Sequence, residues 1–170
     1  MILVTVGTQF FDALITEVDR LAAARAFDRF AGTAPARVFA QIGLQQKLPR
    51  HIEHVAFDRD LVNKARHADL IITHAGTGSL LEFLPMGQPL IAVANPTKAD
   101  NHQLEFLQAL DDVYDFCWIA GPEQLESALP RAVVPLKRHH PGDSYNPGIG
   151  ADIAAFITRH ALVCGATCPA

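Results

Sequence analysis

The sequence predicts an α/β fold: a doubly wound, mostly parallel sheet with helices on both faces. Short apolar runs alternate along the chain with segments of helical spacing. Two of the runs, residues 69–73 and 89–94, are apolar almost throughout, the pattern of strands buried on both faces. The third observation is a strand, glycine loop and helix succession that occurs at least twice, at residues 2–21 and 69–84.

The elements follow in order. Residues 2–6 are rich in β-branched side chains and end at Gly7, and Asp12 then opens a helix with Leu14, Val18 and Leu21 on one face. Residues 37–42 read as a second strand and 54–57 as a shorter third. Asp58 is placed to cap a helix carrying Leu61, Val62, Ala65 and Ala68, and the strand at 69–73 follows. The stretch His74-Ala75-Gly76-Thr77-Gly78-Ser79 leads into a helix near Leu80 that Pro85 and Gly87 terminate. A buried strand at 89–94, a helix at 101–113, a short strand at 116–119 and a helix at 122–132 complete the alternation. Residues 133–147, with three prolines and the adjacent His139 and His140, read as a loop leading to a last helix near 149–162. The expected organisation is one Rossmann-like domain over 1-132, with the loop and C-terminal helix of 133-170 packed on it.

Composition agrees with a single soluble domain. Of 170 residues, 49% are apolar and 19% charged, which excludes a disordered chain, and no apolar run approaches the length needed to span a bilayer. The N-terminus lacks the basic region and cleavage site of a secretory signal, so a cytoplasmic location is expected. A formal charge of -4 gives no footprint for a nucleic-acid backbone. Cys117, Cys164 and Cys168 form no C-x-x-C pair and indicate neither a disulfide framework nor a zinc knuckle.

In an open parallel sheet, ligands bind outside the carboxyl ends of the strands, so Gly7-Thr8-Gln9, residues 74–79 and residues 95–103 are expected on one rim. Glycines at 76 and 78 allow backbone N–H groups close approach to an anion, and the helix that follows adds its positive end. Gly78 is expected at positive φ. The rival reading of these glycines is a buried turn. There is no G-x-x-x-x-G-K-[ST], no G-x-G-x-x-G after the first strand and no G-x-S-x-G around Ser79, which disfavours P-loop nucleotidases, dinucleotide enzymes and serine hydrolases. Asp58-Arg59-Asp60 has the form of a D-x-D metal site, but a helix cap with a first-turn acid explains it more simply. His51 and His54 flank a strand without further ligands, and Lys137, Arg138, His139 and His140 form a basic cluster read first as solvated surface, with contact to an anionic donor, polymer or lipid phosphate as the alternative.

Four blocks then carry a resemblance: Gly7-Thr8-Gln9-Phe10-Phe11-Asp12-Ala13-Leu14-Ile15, the run from Ala68 to Glu82 (A-D-L-I-I-T-H-A-G-T-G-S-L-L-E), Gly87-Gln88-Pro89-Leu90, and Asn101-His102-Gln103-Leu104-Glu105. In their order and spacing they resemble the C-terminal domain of glycosyltransferase family 28, most closely its small stand-alone members, strongly to about Ile119 and weakly beyond. The resemblance implies the nucleotide-sugar-binding, C-terminal half of a GT-B glycosyltransferase that moves a hexose-type sugar from a UDP-sugar to a lipid-linked or polysaccharide acceptor, as in exopolysaccharide synthesis.

By the same resemblance, His74, Gly76, Thr77, Gly78 and Ser79 hold the donor diphosphate, and Glu82 accepts hydrogen bonds from the ribose. His102 and Gln103 face the donor sugar. Gly7, Thr8 and Gln9 line the cleft, and Phe57 and Asp58 lie beside the uracil. No cofactor or metal is implied. The expected partner is a membrane-anchored, acceptor-binding subunit that supplies the general base, since no catalytic residue is assigned within this chain, and that recruits the chain to the inner face of the membrane. Of Phe10 and Phe11, an exposed interface and burial in the core are both open. Two rival functions are a non-catalytic nucleotide-binding module that regulates or scaffolds a glycan-synthesis complex, and a flavodoxin-like phosphate binder, in which the block at residues 101–103 has no role.

Overall fold

The computed structural model describes residues 1–32, 34–45, 47–97 and 102–138, and the statements below concern these. Five strands, β1 (Ile2–Thr5), β2 (Val38–Gln41), β3 (Glu53–Val55), β4 (Leu70–His74) and β5 (Leu90–Val93), join with β7 (Cys117–Ile119) in one sheet of order β3-β2-β1-β4-β5-β7. Every pairing is parallel, and Ile2 to Thr5 of β1 pairs on one side with 38–41 and on the other with 70–73. The strand order reverses direction between β1 and β4, which makes their carboxyl ends the topological switch point.

Helices α1 (Asp12–Ala23), α2 (Leu61–Arg66), α3 (Thr77–Phe83), α4 (His102–Asp111) and α5 (Leu125–Ala128) connect or follow the strands. Alternate strand residues divide the core. Ile2, Val4 and Val6, Leu70 and Ile72, and Ile91 and Val93 pack with Leu14, Ile15, Val18 and Leu21 of α1 and with Leu125, Ala128 and Leu129. Leu3, Ile71 and Ala92 lie outside that cluster, yet are as deeply buried. They face the opposite layer, where right-handed crossovers place α2, α3 and α4. Central strands buried on both faces explain why 69–73 and 89–94 carry no polar alternation.

Several boundaries differ from the sequence reading. The third strand occupies Glu53–Val55, not 54–57; the Ala56 carbonyl still accepts the Gly43 N–H at 3.1 Å, and beyond it the chain turns so that the Asp58 N–H meets the Gln41 side chain at 2.9 Å. The helix after it starts at Leu61 with Asp60 in the cap position. Asp58 instead accepts the Asp60 N–H at 2.8 Å, one step ahead of the helix. The helix expected near Leu80 begins at Thr77, where Leu80 N–H reaches the Gly76 carbonyl at 3.0 Å. The helix expected at 122–132 is α5 flanked by 3₁₀ turns, Pro122–Gln124 and Leu129–Arg131, since Pro130 has no N–H with which to extend an α-helix.

Unforeseen elements include a 3₁₀ turn, Ala26–Phe30, that buries Phe27, and a small antiparallel sheet of β6 (Tyr114–Asp115) with β8 (Leu136–Lys137). Val133 also bridges Leu90, so the segment expected to be loop from 133 is extended and paired through Lys137. His139, His140 and the helix expected at 149–162 lie outside the described residues. Among the described residues no helix is long and apolar enough to cross a membrane.

Ile72, fully buried at the sheet centre, tests this architecture. Ile72→Ala is expected to cost about 2–5 kcal/mol of unfolding free energy, measured by urea denaturation. A loss within the error of that measurement would contradict a two-sided core around β4.

Candidate functional site

The loops after β1 and β4 meet around one buried side chain. His74, 4% exposed, ends β4, and its imidazole lies against two glycines. A Cβ on Gly7 would stand 2.8 Å from its Cε1, and one on Gly76 would collide with its Nε2 and lie 2.9 Å from Cδ2 and Cε1. Gly7 also adopts φ +62°, a left-handed conformation that favours glycine. A third glycine, Gly43 at φ +59°, closes the loop after β2 against the first, where a Cβ would meet the Gln9 carbonyl oxygen at 2.8 Å.

Gly78 behaves otherwise. Contrary to the sequence expectation it is not at positive φ, and a Cβ there would meet nothing within 4 Å. Its position in the first turn of α3 is an ordinary helical one facing open space, so any need for glycine there comes from a ligand and not from the backbone.

Two clefts open along this rim, each of about 280 Å³. Gln9, Ala75, Gly76, Thr77, His102, Gln103 and Phe106 line the first. The second is formed in part by Gly7, Gln41, Phe57, Asp58, Ser79 and Glu82. Both use the segment from Ala75 to Phe83, the first its amino-terminal part and the second the part from Ser79 on. Gly76 and Thr77, expected for the diphosphate, thus share the first cleft with His102 and Gln103, expected for the sugar, whereas Ser79, also expected for the diphosphate, lies in the second with Glu82, Phe57 and Asp58, expected for ribose and uracil. His74, Thr8 and Gly78 line neither. His74 is a buried support beneath the rim, and Thr8 and Gly78 are exposed.

Buried amides hold the loops. Gln41, 3% exposed, donates from Nε2 to the Gly7 carbonyl at 3.2 Å and to Thr5 Oγ1 at 3.4 Å, while its Oε1 accepts the Asp58 N–H. Asn95, 4% exposed, donates its N–H to Gln103 Oε1 at 2.8 Å and its side-chain amide to the Phe10 carbonyl at 3.4 Å, and its Oδ1 accepts from Thr97. Gln103 Nε2 reaches Gln9 Oε1 at 3.5 Å. The sequence reading missed Gln41 and Gly43, and it placed Asn95 on the rim without giving it a role. The available signal was a polar side chain at the carboxyl end of each of two apolar strands.

The acids and histidines near the rim have partners of their own. Lys64 binds Asp58 at 2.6 Å and lies 3.8 Å from Asp60, so the D-x-D pair shares an ammonium group. The Lys64 hydrogen bond, with that from the Asp60 N–H, holds the Asp58 carboxyl below its usual range. His102 is exposed and 3.7 Å from Glu105. Away from the rim, His51 packs on Asp19, whose carboxylate also accepts the backbone N–H groups of Arg50 and His51. The two adjacent phenylalanines divide: Phe11 is in the core and Phe10 is 46% exposed.

A six-stranded parallel sheet with its switch point at a glycine loop, flanked by two clefts, defines a Rossmann-like α/β domain of the kind found in GT-B glycosyltransferases. The chain belongs to the glycosyltransferase family 28 C-terminal domain, whose family model matches residues 1–146.

The human UDP-N-acetylglucosamine transferase subunit ALG13 is 36% identical over 116 residues, covering 64% of this chain and 10% of the relative. The Sorangium cellulosum UDP-N-acetylglucosamine–N-acetylmuramyl-(pentapeptide) pyrophosphoryl-undecaprenol N-acetylglucosamine transferase is 30% identical over 124 residues, 73% of this chain and 29% of that one. The chain therefore spans a minor part of these relatives' length. In fold it matches the solution structure of ALG13 with a TM-score of 0.54, at 21% identity, over 86% of this chain and 90% of that one. It matches Acinetobacter baumannii MurG with a TM-score of 0.55, at 23% identity, over 76% and 40%.

The glycine geometry predicts opposite signs at two neighbouring positions. Gly76→Ala is expected to destabilise by about 1–3 kcal/mol, because His74 is buried and has nowhere to move. Gly78→Ala is expected to stabilise by up to about 1 kcal/mol through helix propensity. Thermal melts of both variants check this, and equal effects would contradict the packing of His74.

The Asp58–Lys64 pair predicts a pH effect. A carboxyl held low in the folded state adds stability above about pH 4, its unfolded value, and that contribution is lost as pH falls through the folded value. Lys64→Met should raise the Asp58 titration midpoint in carbonyl-detected NMR, and an unchanged midpoint would remove Lys64 as the cause.

Proposed function

We propose that this chain is the UDP-sugar-binding, catalytic subunit of a GT-B glycosyltransferase, that its donor is UDP-N-acetylglucosamine or a similar UDP-hexose, and that it works with an acceptor-binding partner. The observation that carries this reading is the pair of clefts at the two ends of the segment 76–79, the first lined by Gly76 and Thr77 and the second by Ser79. A nucleoside diphosphate sugar has the same layout, with two bulky ends joined by an anion. The names of the relatives support the donor class.

In this reading uracil and ribose occupy the cleft of Phe57, Asp58 and Glu82, and the Glu82 carboxylate accepts the ribose hydroxyls in charge-assisted hydrogen bonds. The sugar enters the cleft of Gln9, His102 and Gln103, whose amide and imidazole groups match its hydroxyls. The diphosphate crosses Gly76, Thr77, Gly78 and Ser79. The opening residues of a helix leave N–H groups without intrahelical acceptors, and these face the charge that grows on the leaving diphosphate as the glycosidic bond breaks. Preorganised donors of this kind act without a divalent metal. His74 contributes by holding Gly7 and Gly76 apart at a fixed distance. The base that removes the acceptor proton comes from the partner, which also brings the acceptor and the membrane attachment.

Calorimetry should show affinity rising from uridine to UMP to UDP and persisting in EDTA. Glu82→Ala should weaken UDP binding by about 1.5–3 kcal/mol, roughly ten- to a hundred-fold, with an unchanged circular dichroism spectrum. Equal affinity for uridine and UDP would remove the diphosphate from the glycine segment.

Turnover is the second test. Acceptor-dependent release of UDP from UDP-N-acetylglucosamine is expected only when the chain is combined with membranes carrying its partner. Robust turnover by the purified chain alone would contradict the two-subunit arrangement, and UDP binding without turnover in any combination would favour a regulatory module.

A further inference from the structure

Gln41 ends a strand whose other three residues are apolar, and it is almost wholly inaccessible. Both ends of its amide are committed, and to different loops. Nε2 donates to the carbonyl of Gly7, which lines the second cleft and immediately precedes the Thr8–Gln9 segment that reaches the first. Oε1 accepts the N–H of Asp58, which with Phe57 forms the wall of the second cleft. Neither bonded group lies in a regular strand or helix. The amide orientation is fixed by its partners, since a carbonyl demands the NH₂ end and an N–H demands the oxygen.

We propose that Gln41 is a positioning residue that couples the Gly7–Gln9 loop to the Phe57–Asp58 wall, setting the two clefts in register for a ligand that occupies both. The inference rests on the reading of the clefts as a UDP-sugar site, and it adds to that site a residue that none of the expected ligand contacts includes. A backbone carbonyl and a backbone N–H left without partners at half-buried positions each lose a hydrogen bond and carry part of a desolvation penalty, so the loops relax together when the amide is removed. The titratable and charged groups on the surrounding segments are His74, whose ring lies against Gly7, Asp58, Arg59 and Glu82 around the second cleft, and Lys64, which pairs with Asp58 and lies near Asp60; taking the ratio of variant to wild type cancels their common titration.

The experiment compares the wild-type chain with Gln41→Leu and Gln41→Glu in two measurements. The first is amide hydrogen exchange without ligand. Gln41→Leu should accelerate exchange in residues 7–9 and 57–60 together, while residues 70–74 of β4 stay protected. Acceleration of only one segment, or of neither, overturns the coupling whether or not the wild type binds UDP.

The second is UDP and uridine affinity across pH 5–8, taken as the ratio of variant to wild type. Gln41→Leu should lose about ten-fold or more of UDP affinity, the order expected for two unpaired backbone groups. In Gln41→Glu the protonated acid can still donate to the Gly7 carbonyl and accept from Asp58, whereas the ionised form cannot donate. Burial raises the pKa of an introduced carboxyl, so affinity should approach wild type at the acid end and fall as pH rises. A flat ratio over this range, or a Gln41→Leu affinity equal to wild type, overturns the proposal. A wild type that binds no UDP overturns the assignment of the clefts instead, and the exchange data then decide Gln41 alone.

Discussion

The imidazole of His74, held between the backbones of Gly7 and Gly76, sets the spacing of the two innermost loops at the carboxyl edge of the sheet. β1 and β4 are direct neighbours in parallel register, so their following loops emerge side by side and compete for the same space. Filling that space with a flat ring and removing the two side chains opposite it lets both backbones approach. The left-handed turn at Gly7 is part of the same solution. Because the ring is buried, the loop positions are fixed by packing against a rigid strand end, which is a more precise scaffold than a solvated loop supplies.

Around this centre the remaining loops are fastened by amides. Gln41 and Asn95 both stand at or just beyond the carboxyl ends of apolar strands, and both satisfy the backbone of a different loop. A buried amide with a missing partner loses about 1–3 kcal/mol, so each of these side chains admits few arrangements of the loops it holds. Gln103 differs in kind. Its oxygen is spent on Asn95, but its nitrogen reaches Gln9 only at the outer limit of a hydrogen bond and faces the first cleft. A ligand hydroxyl can take over that donor at little cost, which suits a residue at the boundary between scaffold and site.

How much of this was legible in the sequence follows from what each feature depends on. The six strands of the parallel sheet and the helices α1 to α4 depend on apolar runs and periodicity, which are local, and their existence was readable, whereas the short β6–β8 pair was not. The glycine loop was readable as a turn at the carboxyl edge of the sheet, yet the reason for its glycines was not. Gly76 needs to be glycine because of a side chain two residues away and Gly7 because of one 67 positions away, whereas Gly78, which looked equivalent, is free of neighbours. Spacing alone does not separate these cases. The end of β3 was misplaced for a similar reason, since past Ala56 the chain turns toward a glutamine of the adjacent strand, which takes the Asp58 N–H. The roles of the amides at the strand ends escaped notice because their partners are distant in sequence.

One surface feature ties the scaffold to the proposed partner. Gly43 lies against the Gln9 carbonyl and donates its N–H to Ala56 at 3.1 Å. The residues that follow these three positions are Leu44, Phe10 and Phe57, and all three are exposed, at 79%, 46% and 64%. The loops whose backbones touch at the rim therefore each also carry a large exposed apolar side chain, and that of Phe57 lines the second cleft. Singly exposed apolar residues need no explanation, but several on adjoining loops at a site are a different matter. Each is worth about 25 cal/mol per Å² when covered, and in the proposed complex the partner covers them. Closure there would also remove water from the glycine segment, where the interaction of N–H groups with a developing negative charge strengthens as the local dielectric falls. In the proposed complex, the same few loop contacts that shape the two clefts would thus also provide the means of sealing them.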